Sequence, residues 1–143
     1  MIWKSWQELP DDMRCEAVRP YYEILASKRC DLMLKAIFDR LMAAILLIFL
    51  SPIFLVLAIW IKLDSEGPVF FRQERVTQYG QTFRIYKFRT MVQNAEQLGA
   101  QVTSKGDMRV TSVGQALRKC RLDELPQLIN ILEGTMSFVG TRP

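Results

Sequence analysis

LMAAILLIFLSPIFLVLAIWI, residues 41–61, is a run of twenty-one residues without a charge. At about 1.5 Å per residue, a straight helix of this length reaches across a bilayer core of roughly 30 Å, so the run reads as a membrane segment. It begins some forty residues into the chain, exceeds the apolar core of a signal peptide and has no small-residue cleavage site before Lys62. A cleaved leader is therefore disfavoured. Ser51 and Pro52 fall at the midpoint. Pro52 removes a backbone donor and crowds the preceding turn, while the Ser51 hydroxyl can return a hydrogen bond to a released carbonyl. A sharp bend is feasible there. Lys28, Arg29, Lys35 and Arg40 precede the run and Lys62, Arg72 and Arg75 follow it, so neither flank has the charge deficit of a translocated side. The run is expected to be a re-entrant hairpin with both ends on the cytoplasmic face; a kinked single span is the alternative.

Working outward, Asp64, Ser65, Glu66, Gly67 and Pro68 punctuate the exit from the run. Val69–Gln73 and Thr82–Thr90 read as two short strands, with Tyr79 and Gly80 in the turn region between them. Lys87 and Arg89 are expected on one face, where they suit lipid headgroups, a pyrophosphate or merely water. Asn94–Leu98 reads as a helical turn, Gly99–Gly106 as a loop, and Ser112 as the cap of a helix carrying Val113, Ala116 and Leu117. Upstream, a helical pattern from Asp31 leads into the run. Residues 1–30 hold Trp3, Trp6, Tyr21 and Tyr22 among mixed charges, which suits an interfacial helix or a partly disordered tail. The expected fold is α+β, mainly α: a monotopic membrane protein with a re-entrant helix hairpin, a short β-hairpin and interfacial amphipathic helices. Its expected divisions are an N-terminal extension (1–30), a re-entrant helix (31–64) and a cytoplasmic domain (65–143).

Net charge is +4 over 143 residues, and the excess is confined to one side. Residues 1–61 hold seven basic and seven acidic side chains, against twelve and eight after Ile61. That balance suits an anionic membrane surface or a phosphate-bearing substrate and is too weak to indicate nucleic acid. The absence of histidine removes Ser-His and Cys-His catalysis and His-ligated zinc, leaving Asp, Glu, Ser, Thr, Cys or Lys as nucleophiles. Cys15, Cys30 and Cys120 are scattered without CxxC spacing, so neither a metal knuckle nor a disulfide framework is indicated.

One acidic pair stands out. Asp123 and Glu124 lie between Arg118, Lys119 and Arg121 on one side and Leu125, Pro126 and Gln127 on the other. Pro126 suits a first helical turn and Leu125, Leu128, Ile129 and Leu132 recur at helical spacing, so the carboxylates are expected at a helix N-terminus. There a phosphate, a divalent metal and a nucleophile could meet; a capped amphipathic helix is the plainer reading.

Four motifs in order carry a family resemblance: GPVFFRQER (67–75), YKFRTM (86–91), LDELPQL (122–128) and MSFVG (136–140). From about Leu34 to Pro143 the chain closely resembles the bacterial sugar transferases, the monotopic polyprenyl-phosphate phosphoglycosyl transferases. The resemblance implies transfer of a sugar phosphate from a UDP-sugar to a polyprenyl phosphate such as undecaprenyl phosphate, on the cytoplasmic face of the bacterial inner membrane, with Mg2+. It implies that Asp123 is the nucleophile that forms an aspartyl phosphosugar and a metal ligand, and that Glu124 assists it. Arg118 matches a phosphate-binding arginine and Arg142 the arginine of a Pro-Arg-Pro loop; Arg suits both because its planar fork gives bidentate hydrogen bonds to phosphate. Lys87 and Arg89 are added as phosphate-binding candidates. Ser51 and Pro52 match the family's re-entrant break.

Thr77 stands in place of a usual glycine, Thr135 of a usual aspartate and Thr141 of the first proline of the Pro-Arg-Pro loop. Family members also continue past the position of Pro143, so the resemblance implies a chain incomplete at its C-terminus. An inactive relative that binds lipid phosphate or partners is the alternative function, and a single-span anchor with a small basic interaction domain is a third. Homo-oligomerisation and the identity of the sugar stay open.

Overall fold

The computed structural model of the chain describes residues 4–95 and 107–140. Two short 3-10 turns, Trp6–Glu8 and Asp11–Met13, lead into helix α1 (Arg19–Ser27), whose Pro20 fits a first helical turn. The Tyr22 hydroxyl donates to the Lys4 carbonyl and its ring meets Trp6 edge-on at 5.2 Å, which folds this stretch back on itself. On its outer side α1 exposes Tyr21, Ile24 and Leu25.

Helix α2 (Arg29–Asp64) has 36 residues, about 54 Å if straight, and contains the whole apolar run. Asp39, Ala43, Leu57 and Ile61 are buried, with Leu46, Leu50 and Phe54 half-buried between them. Their spacing of three and four residues makes one stripe down the helix. Every other side of the run is apolar and open: Ile45, Ile48, Phe49, Leu55 and Val56 are all exposed. By length and composition the helix is long and apolar enough to cross a membrane, and a helix apolar on all sides belongs either in a membrane or inside a larger protein. At the midpoint helical structure continues across Pro52 without interruption. The reason is local. Pro52 leaves the Ile48 carbonyl without its usual donor, and the Ser51 hydroxyl supplies one at 2.8 Å.

Strands β1 (Phe70–Val76) and β2 (Thr82–Phe88) form a two-stranded antiparallel sheet, in register from Phe70 opposite Phe88 to Val76 opposite Thr82. β1 runs past the expected Gln73 to Val76, while β2 starts at Thr82 as expected and stops at Phe88, short of Thr90. Tyr79 and Gly80, both at positive φ, bend the connection. The outer edge of β2 is closed by a side chain: Asn130 accepts from the Tyr86 N–H and donates to the Arg84 carbonyl, both at 2.9 Å. One amide thereby takes the place of a third strand, in a site with no exposure.

Helices α3 (Ser112–Lys119) and α4 (Gln127–Glu133) complete the unit. Thr111, rather than Ser112, caps α3, accepting from the Gly114 N–H at 3.0 Å, and Asp64 at the end of α2 accepts from the Val113 N–H at 3.2 Å. Gly114 is obligatory, since a Cβ there would come within 2.1 Å of the Thr90 carbonyl oxygen. Gly134 ends α4 in the left-handed region at φ 81°. Two apolar clusters hold these elements to α2. Leu57 and Ile61 pack with Phe88, Val113 and Leu117; Ala43 packs with Leu128 and Ile131.

Candidate active site

The chain reverses after α3 at Arg121, which adopts φ 57° and ψ 19°. A 3-10 turn, Leu122–Glu124, follows and presents the acidic pair. Pro126 then leads into α4, so the carboxylates lie in a separate turn ahead of that helix and not in its first turn. Lys87, from the last part of β2, places its Nζ 3.6 Å from one Glu124 oxygen, and Arg121 approaches the other at 4.0 Å. Arg118, in the last turn of α3, is held by Nε donation to the Thr90 hydroxyl at 2.9 Å. Three of the sequence candidates therefore join Asp123 and contribute to one charged neighbourhood.

Asp123 is half-buried, and its carboxyl is pushed up from the usual aspartate range. Loss of water is the largest cause and the neighbouring Glu124 charge the second; Lys87 and Arg118 pull the other way. The backbone N–H of Asp123 itself opposes protonation alongside the two cations. Among the described residues no three Asp, Glu, Cys or His side chains converge. Two adjacent carboxylates nevertheless fit Mg2+, which takes one or two carboxylates and fills its remaining positions with water and substrate phosphate.

Arg89 is placed elsewhere, and the shared basic face with Lys87 is not formed. β2 ends at Phe88, and the buried Arg89 guanidinium turns to the end of α2, where Nη2 donates to the Ser65 hydroxyl at 2.9 Å and to the Ile61 carbonyl at 3.4 Å. There it adds a second donor to the Ile61 carbonyl, which already accepts from the Ser65 N–H at 3.2 Å. Gly67 makes room for it, since a Cβ would lie 2.4 Å from Nη1. Ser51 and Pro52 are exposed at the middle of α2. Arg142, Thr141, Trp3, Gly99–Gly106 and part of the Asn94–Leu98 turn lie outside the described residues.

Sequence reasoning missed the residues that fix this geometry. Asn130 ties α4 to β2, and its polarity among Leu128, Ile131 and Leu132 was the available signal. Thr90 accepts from Thr111 N–H through its carbonyl and from Arg118 through its hydroxyl. Ser137, from the MSFVG motif, donates to Asp39 at 2.6 Å, and Lys35 donates to the same oxygen at 2.9 Å. Two departures from the family pattern meet in space, the Thr77 hydroxyl donating to the Thr135 carbonyl at 3.1 Å.

Comparison with known proteins gives this arrangement its relatives. Residues 30–143 match the family described as bacterial sugar transferase. A UDP-N-acetylgalactosamine-undecaprenyl-phosphate N-acetylgalactosaminephosphotransferase of Aeromonas hydrophila is 55% identical over 105 residues, covering 73% of this chain and 25% of that protein. A UDP-glucose:undecaprenyl-phosphate glucose-1-phosphate transferase of Xanthomonas campestris is 46% identical over 110 residues, covering 76% and 23%. A Bacillus subtilis protein, named as a putative undecaprenyl-phosphate N-acetylgalactosaminyl 1-phosphate transferase, is 44% identical over 112 residues, covering 78% and 63%. The chain thus spans about a quarter of the length of the first two. With the matched region enclosing the long apolar helix, the β-hairpin and the acidic turn, the chain belongs to the bacterial sugar transferase family.

Proposed function

We propose that the chain is a phosphoglycosyl transferase that moves a sugar phosphate from a UDP-sugar to a polyprenyl phosphate, at the cytoplasmic face of the bacterial inner membrane. The product would start an exopolysaccharide, as the names of two relatives, exopolysaccharide production proteins of Rhizobium leguminosarum and Sinorhizobium fredii, suggest. The observation that carries this reading is the half-buried Asp123 beside Glu124, with Lys87 3.6 Å from a Glu124 oxygen and Arg118 fixed by Thr90 in the same neighbourhood.

An Asp123 oxygen attacks the phosphorus bonded to the sugar, and the bond from that phosphorus to the UMP oxygen breaks, its electron pair leaving with UMP. A phosphate oxygen of the polyprenyl phosphate then attacks the same phosphorus. The aspartyl bond breaks, the carboxylate is restored and the lipid carries a diphosphate sugar. Arg118 and Lys87 supply positive charge to the phosphates, and the Thr90 contact holds Arg118 in place. Glu124, engaged by Lys87 at 3.6 Å, positions that cation beside Asp123. Mg2+, held by Asp123 with Glu124 beside it, would neutralise phosphate charge.

The re-entrant arrangement is part of the proposal. Its support is that both ends of α2 are tied to one soluble unit: Asp39 to Ser137 near the start, Asp64 to Val113 and Ser65 to Arg89 at the end. A helix with its ends on opposite sides of a bilayer could not keep both sets of contacts in water. UMP release from a panel of UDP-sugars, with Mg2+ and undecaprenyl phosphate, tests the activity. Release that is lost in Asp123→Asn is expected. A covalent phosphosugar on another residue, or one persisting in Asp123→Asn, would refute the assignment, and no release beside an active relative would favour a binding protein without turnover. Tags at the two termini on opposite sides of the membrane would overturn the re-entrant placement.

A further inference from the structure

A groove of about 470 Å³ lies between α2 and α4, within the range of about 300–1,000 Å³ common for small-molecule sites. Leu46 and Leu50 form its α2 wall, Leu128 and Ile131 its α4 wall, and Glu124 and Arg121 its polar end. The α2 wall belongs to the charge-free run, and its neighbours Ile45 and Phe49 are exposed, so a hydrocarbon chain in the membrane can enter from that side. Glu124, the second of the acidic pair, is in the groove's lining, and Asp123 directly precedes it in the chain.

Arg121 has two properties that bear on the occupant. It holds left-handed backbone, at φ 57°, which strains an L residue and which glycine would adopt freely. Its side chain is 73% exposed and its contact with Glu124, at 4.0 Å, is of the weak surface kind. Lys87 meets one oxygen of Glu124 and Arg121 the other, and of these two cations Arg121 is the one that lines the groove. A cation at the mouth of an apolar channel complements a single-headed anionic lipid.

We propose that this groove takes the first isoprene units of the polyprenyl phosphate and that Arg121 holds its phosphate at the mouth. The proposal rests on the transfer reading above and adds to it a separate acceptor subsite. The donor phosphates then meet Arg118 and Lys87, and the acceptor phosphate reaches Asp123 from the groove side.

The test uses the full chain in lipid nanodiscs. A photoreactive polyprenyl phosphate is cross-linked and its adducts mapped, and steady-state kinetics are run on Arg121→Gly and Arg121→Lys. Arg121→Gly relieves the backbone cost and should fold at least as well as wild type, which keeps lost function separate from lost structure. Adducts are expected on Leu46, Leu50 and Leu128. Arg121→Gly should weaken those adducts and raise KM for polyprenyl phosphate about ten-fold, as loss of a charge-assisted hydrogen bond implies, with KM for the UDP-sugar unchanged. Arg121→Lys should keep most of the affinity. Adducts confined to Ile45 and Phe49, equal labelling by a photoreactive phospholipid, or equal changes in both KM values would overturn the subsite. If wild type releases no UMP, the transfer reading fails, while adducts in the groove that depend on Arg121 would still establish the lipid site.

Discussion

Removing the Asn130 side chain should cost far more than an ordinary surface change. Asn130 has no exposed area, and its amide serves two backbone groups of β2, the Tyr86 N–H and the Arg84 carbonyl, at 2.9 Å each. In Asn130→Ala both groups lose their partner where water does not reach them. Each such orphan costs about 1–3 kcal/mol, so the variant should lose about 2–6 kcal/mol, a large fraction of the roughly 5–15 kcal/mol that holds a domain folded. Asn130→Asp separates the two bonds. Its carboxylate still accepts from Tyr86 but faces the Arg84 carbonyl without a donor, so its folded pKa lies above the unfolded one. Its stability should therefore be best at low pH and fall as pH rises through the raised value. Denaturant unfolding in detergent, with hydrogen exchange of the Tyr86 amide, reads both. An Asn130→Ala protein within about 0.5 kcal/mol of wild type, with Tyr86 still protected, would refute the strand-substitute account.

The raised Asp123 carboxyl makes two further outcomes testable. As the attacking form is the anion, activity should fall on the acid side through a pKa above the free aspartate value; Lys87→Met should move that limb up and Glu124→Gln down, which a pH–rate profile of UMP release would show. A folded pKa above the unfolded one also means that ionised Asp123 costs stability as pH rises, so Asp123→Asn, though inactive, should melt no earlier than wild type at neutral pH; an earlier melt would contradict the burial argument. Gly114→Ala should separate α3 from Thr90 and destabilise by about 3 kcal/mol or more, because the clash is with backbone. Unchanged unfolding would show that the approach is looser than described.

The parts of the fold that were legible in the chain are those with a strong local signal. The charge-free run, the strand pair around Tyr79 and Gly80, and the acidic turn each announced themselves through hydropathy, alternation or punctuation. What was not legible depends on contacts far apart in the chain. Nothing near Arg89 says that it turns to Ser65 and not to the acidic pair, and alternation with Lys87 pointed the wrong way because the strand stops at Phe88. Asp123 illustrates the same limit in energy: its neighbours in sequence suggested a helix-end position, whereas burial by the fold and Lys87, distant in the chain on β2, act on its carboxyl. Helical continuity through Pro52 turned on one hydroxyl, whose use the sequence permitted without requiring it.

The Asp39–Ser137 bond has a consequence for the order of events in synthesis. Its partners are 98 residues apart, so α2 leaves the ribosome and meets the membrane long before Ser137 exists. At about 5–20 residues per second, that delay is several seconds. The insertion machinery must decide whether the apolar segment crosses or returns while Asp39 has only Lys35, four residues back, for company. The later bond can lock an orientation and cannot choose it. Topology errors should thus arise from changes to the flanking lysines and arginines, whereas loss of Ser137 should leave insertion correct and shorten the lifetime of the folded protein.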